Sequence, residues 1–123
     1  MFRYEPGDDV GALEPWPFDI PASHYRIREG RPEASGRLEV GGPGHRGRFG
    51  IWRCTPGIFD CTEQGDELMT VLSGRCRITD HATGVTADLG PGDTLFLRDG
   101  SRVTWDIAQE VTKVFFGQKS DGY

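Results

Sequence analysis

The sequence contains no apolar run near the roughly 18 residues that a membrane-spanning helix needs. Its hydrophobic content, 36% of 123 residues, is scattered in short stretches. It has no excess of basic residues. Against 14 Lys and Arg stand 19 Asp and Glu, for a net charge of −5. Nucleic acids and anionic membranes both call for a basic face, so neither is expected as a partner. Lysine is nearly absent, with only Lys113 and Lys119. The three cysteines, Cys54, Cys61 and Cys76, form no Cys-x-x-Cys pair. The stretch Met1 to Asp9 lacks the basic-then-apolar build of an export signal. The expectation is a cytoplasmic protein with free thiols. No window carries helical periodicity, and no Gly-Lys-Ser/Thr phosphate loop occurs.

What is present is punctuation. The 18 glycines and 8 prolines stay below the roughly 25–30% of disordered chains. Six prolines fall before residue 50. Residues 1–35 are therefore expected to form a Pro-rich arm, strapped through Trp16 and Phe18 onto the main domain or a dimer partner. Residues 36–123 form that domain. From Phe49 onward, short β-branched and aromatic runs alternate with turn clusters. Strands are expected near 49–54, 58–62, 67–73, 75–80, 84–89, 94–98, 102–107 and 111–116, with a further one near 36–40. Gly74 and Asp99-Gly100 are read as turns between them. Such spacing implies an all-β barrel or sandwich in one domain.

Few residues carry obvious chemistry. Gly42-Pro43-Gly44-His45-Arg46-Gly47 matches a dinucleotide fingerprint by letter only, because it runs into a strand and not a helix. His24, His45 and His81 lack metal-ligand spacing. Asp60, Glu63, Asp66 and Glu67 form an acidic cluster, which hints at a cationic or amine-bearing ligand. Glu67 opens an apolar run, and residues 67, 69 and 71 share one strand face. Lys113 lies in the apolar strand Val111 to Phe116 and needs a buried partner. Glu67 is the proposed one. Arg98 offers a fork for an anion.

The stretch from Cys54 to Phe116 resembles the cupin superfamily. Glu67, six residues and Gly74 resemble the end of the first cupin signature. Gly92-Asp93-Thr94-Leu95-Phe96-Leu97 resembles the start of the second. Gly50-Ile51-Trp52-Arg53-Cys54-Thr55-Pro56-Gly57-Ile58-Phe59 is similar to the lead-in of the small cupins grouped with ureidoglycine aminohydrolase and the ethanolamine-utilisation cupins. The resemblance implies a double-stranded β-helix barrel, the RmlC-like jelly roll, with an extended N-terminal arm. It places Cys61, Glu63, Glu67, Met69, Val103 and Trp105 inside the barrel. Trp52, Phe59, Phe96 and Phe115 then lie nearby, with Arg98 at the mouth and Lys113 beside Glu67.

The metal-ligand pattern of that superfamily is altered here. The two histidines of the first motif fall at Cys61 and Glu63, the histidine of the second at Val103, and its proline at Arg98. No cofactor is expected, and the main reading is a cupin that binds a small polar metabolite without a His-ligated metal. The first alternative is a metal-dependent hydrolase or isomerase acting on ureido or amino compounds. It would hold Mn, Zn, Ni or Fe through Cys61, Glu63 and Glu67, with Glu67, Lys113 or Cys61 as catalytic candidates. The second is a non-catalytic structural or regulatory dimer. A homodimer is expected in all three.

Overall fold

The computed structural model describes residues 1–123. Nine strands and one 3-10 turn, Pro21–Ser23, make up the regular structure. The strands are β1 (Glu14–Pro15), β2 (Arg26–Gly30), β3 (Ala34–Gly41), β4 (Gly47–Cys54), β5 (Gly57–Thr62), β6 (Asp66–Asp80), β7 (Thr86–Leu89), β8 (Thr94–Leu97) and β9 (Arg102–Gln118). All pairings are antiparallel. The first part of β9 pairs with β5 and the second with β4, while β6 follows its whole length. One end of β6 also pairs with β8 and the other with β7. The two long strands thus belong to two strand layers at once and curl them into a jelly-roll barrel.

Two expected breaks are continuous strand. Gly74 is a bulge within the 15-residue β6 rather than a turn. Its φ of +82° is open to glycine, and a Cβ there would collide with the Glu110 carbonyl. Residues 108–110 likewise lie inside the 17-residue β9. Register shifts at Val71/Ser73, Ser73/Arg75 and Arg75/Cys76 bend the pair as it passes from one layer to the other.

Strand alternation sorts the side chains. Glu67, Met69 and Val71 face inward, as do Lys113 and Phe115. The inner cluster joins Trp52, Phe59, Met69, Val103, Trp105 and Phe115, among others. Phe59 is 1% exposed, and full burial of such a ring contributes about 1.5–3 kcal/mol. The arm closes both sides of the β4–β9 layer. Val10 joins Ile51 and Leu72 in a small cluster on the outer face. Trp16, Phe18 and Tyr25 pack on the inner core, with Phe18 4.8 Å from Phe59 and Trp16 edge-on to Phe115 at 6.1 Å. Backbone links hold the arm beyond these side chains: β1 pairs with β3, β2 pairs with β5, and the Gly7 amide donates to the Leu72 carbonyl at 2.8 Å.

An apolar ribbon crosses the outside of the barrel. Phe96 on β8 pairs with Leu68 on β6, and Leu68 pairs in turn with Phe116 on β9. Phe116 meets Phe49 on β4, which meets Val40 on β3. Phe96, Leu68, Phe116 and Val40 are all exposed. Phe49 is half-buried under Phe2.

Candidate functional site

A cavity of about 410 Å³ opens at one end of the barrel. Each wall comes from a different element. β4 supplies Arg48 and Trp52, which alternation puts on one face. β9 supplies Lys113 and Phe115, and β6 supplies Glu67. Glu63 enters from the end of β5, Trp16 and Tyr25 from the arm, and Lys119 and Tyr123 from the residues after β9.

Lys113 and Glu67 form an ion pair on the cavity wall. Lys113 Nζ donates to Glu67 Oε2 at 2.6 Å, with the two side chains 7% and 11% exposed. The ammonium also faces Trp52 at 4.8 Å, Trp105 at 4.7 Å and Phe115 at 5.6 Å. A buried charge is costly unless it is paired, and these rings add cation–π attraction to the carboxylate contact.

Glu63 is in a different condition. Its Oε1 accepts from Trp105 Nε1 at 3.2 Å and from Cys61 Sγ at 3.7 Å. Burial first, and the charge of Glu67 second, raise its pKa above the usual carboxylate range. Burial also raises the Tyr25 phenol and the Cys61 thiol. It pushes Cys54 up to about 12 and Cys76 up to about 11. All three cysteines are free, buried and held as thiols.

The residues expected from sequence fall into three groups. Trp52, Glu63, Glu67 and Lys113 line the cavity. Phe59, Cys61, Met69, Val103 and Trp105 are core side chains that do not reach its surface. Cys61 is buried, and burial raises its thiol pKa, which disfavours the thiolate that a nucleophile needs. Phe96 and Arg98 lie outside the site. In β8 it is Leu97 that turns inward, leaving Phe96 53% exposed on the outer ribbon. Arg98 is exposed in the turn after β8, where its carbonyl accepts from the Ser101 amide.

The acidic cluster does not converge on the cavity. Asp60 binds Arg28 Nε at 2.7 Å and Thr104 Oγ1 at 2.6 Å. Burial alone would raise its pKa, but these hydrogen bonds outweigh it and hold the carboxyl below its usual range. Asp66 is exposed and accepts from the Asp99 amide. Only Glu63 and Glu67 remain at the cavity, and Lys113 answers Glu67.

The donor set does not suit a divalent metal. Val103 offers no ligand atom, Cys61 keeps its proton on Glu63, and Glu67 holds an ammonium. Cys61, Glu63 and Glu67 form no cluster suited to hold Mn, Zn, Ni or Fe.

Sequence reasoning missed Arg48, Tyr123 and Lys119. Arg48 carried a readable signal. It shares the strand face of Trp52, and an arginine entering an apolar strand raises the same question as Lys113. Lys119 and Tyr123 follow the last strand and have no periodicity to read.

Comparison with known proteins agrees with this architecture. The EutQ-like cupin domain pattern matches residues 41–115. The Clostridium difficile EutQ protein superposes with a TM-score of 0.61 at 17% identity, covering 73% of this chain and 71% of that one. A cupin-like protein of Thermotoga maritima gives 0.68 at 12% identity, covering 92% and 83%. A DUF861-family protein of unknown function from Pseudomonas syringae pv. tomato gives 0.72 at 22% identity. That alignment covers 89% of this chain but 45% of the relative. No curated protein matches the sequence significantly. No helix is long and apolar enough to cross a membrane. A pattern that runs from the end of β3 into β9, on a jelly-roll barrel, gives the assignment: the chain belongs to the EutQ-like cupin domain family.

Proposed function

We propose that this cupin binds a small polar metabolite at the barrel mouth, without a histidine-ligated metal, as a cytoplasmic homodimer. The observation that carries the binding reading is the 410 Å³ cavity itself. It combines aromatic walls with a few convergent polar groups, the common form of a small-molecule site. The Lys113–Glu67 pair supports a metal-free reading, because an ammonium already answers that carboxylate. The homodimer rests on the outer ribbon of Phe96, Leu68, Phe116 and Val40, an apolar strip of the kind that marks interaction surfaces.

A thermal-shift screen tests the binding reading, with amino acids, carboxylic acids, amines, amides and ureido compounds at millimolar concentration. A ligand at 100 times its Kd stabilises the fold by about 2.7 kcal/mol. Some class should therefore raise Tm by several degrees. The rise should vanish in Ala22→Trp, which fills the mouth from an exposed position. No shift from any class would retire the reading.

A further inference from the structure

Three arginines are half-buried in this protein. Arg37 binds Glu39 Oε1 at 2.7 Å and the carbonyls of Val10 and Ala12 at 2.8 and 3.0 Å. Arg53 binds Thr112 Oγ1 at 2.9 Å, with Glu110 at 3.7 Å. Arg48 meets no carboxylate or carbonyl oxygen. It enters no ion pair. Its Nε is buried without a hydrogen-bond partner. Its guanidinium lies on the cavity wall, 4.0 Å from the Tyr123 ring centre, 5.5 Å from Trp16 and 5.6 Å from Phe115.

We infer that the cavity recognises its ligand through a carboxylate or comparable planar oxyanion docked on Arg48, with the apolar part of the ligand against Trp52 and Phe115. The inference rests on the small-molecule reading above and names the ligand class. An Nε–H withdrawn from water without an acceptor is costly, and an oxyanion on the guanidinium edge supplies what is missing. Its planar fork matches a carboxylate through two parallel N–H bonds. The three rings already hold it in place, so little ordering remains for the ligand to impose.

The charges around the cavity point the same way. Lys113 and Glu67 cancel each other. Glu63 is pushed toward its neutral form by burial, which reduces the negative charge facing an incoming anion. Lys119 adds a second cation, held only by Gln64 Oε1 at 3.5 Å. An amine-bearing ligand would meet two cations, Arg48 and Lys119, and of the two cavity carboxylates Glu67 is already paired and burial disfavours the charge on Glu63.

Isothermal titration calorimetry on the full chain tests this with probes of one shape and three charges: benzoate, benzamide and benzylammonium. The same comparison is made with butyrate, butyramide and butylammonium. The acid of each series should bind roughly tenfold or more tighter than its amide or amine, as a charge-assisted pair requires. Arg48→Met keeps the apolar stem against the rings. It should bring benzoate down to the affinity of benzamide and leave benzamide unchanged. Arg48→Lys keeps the charge, loses the fork and should fall between. The wild-type comparison stands even if Arg48→Met folds poorly. Amides or amines binding as well as the acids, or an unchanged acid preference in Arg48→Met, would overturn the anion assignment and leave the small-molecule reading standing. Silence from all six probes would overturn the anion assignment, and the thermal-shift screen then decides the small-molecule reading.

Discussion

Lys113 and Glu67 lie 46 positions apart in the chain, yet β9 and β6 bring them into a 2.6 Å ion pair inside the barrel. The pair lets a charged lysine occupy an apolar strand. Removing one partner of a buried pair leaves the other uncompensated. Lys113→Met should therefore cost about 3–5 kcal/mol in urea unfolding. Glu67→Gln should cost less, because an amide oxygen remains and three rings still face the ammonium. The double variant should recover much of the Lys113→Met loss. If the two losses simply add, the residues act separately.

Glu63 sets one slope of stability against pH. Its pKa is raised in the fold by burial and by Glu67, so the folded state keeps a proton that the unfolded state has lost. Its contribution is complete below the unfolded value, about 4.3. It declines as pH rises from there through the folded value. Asp60 has the opposite sign, since its lowered pKa makes stability fall as the solution acidifies below about pH 4. Urea midpoints from about pH 3 to 8 should show Glu63→Gln flattening the decline above the unfolded value. An unchanged slope would mean that Glu63 is ionised in the folded protein.

The outer ribbon makes a prediction about mass. Light scattering on the purified protein should return twice the 13.6 kDa of one chain. Leu68→Glu or Phe116→Glu should return one chain with its circular dichroism intact, because both side chains are already half in solvent. A wild-type monomer at micromolar concentration would remove the homodimer.

The strands were legible because their signals are local and periodic, and the motifs around Glu67 and Gly92 narrowed a barrel or sandwich to a jelly roll. Alternation put 67, 69 and 71 on one face without saying which face was inward; the cupin resemblance turned Glu67 inward, and the isolated lysine in Val111 to Phe116 suggested its partner. Gly74 was read as a turn because a glycine at a bulge and a glycine at a hairpin look alike in sequence. The difference lies in the Glu110 carbonyl, which only folding brings beside it. The acidic run 60–67 misled for a related reason. Neighbouring carboxylates on and around a strand point to different faces, and Arg28, Asp99 and Lys113 claim three of them from distant parts of the chain. Tyr123 shows the remaining limit. Its hydroxyl sits where a Cβ on Gly65 or Gly117 would intrude, a fit that depends on two small residues far apart in sequence.

β9 is the last strand to leave the ribosome, and β4, β5 and β6 all hydrogen-bond to it. A growing chain therefore presents three strands, with Trp52, Phe59 and Met69 on them, before their common partner exists. Long-range pairings of this kind make folding slow and leave apolar edges open meanwhile. The exposure to misassembly thus lasts until β9 has emerged. A nascent chain halted before residue 102 has no native barrel to fold into.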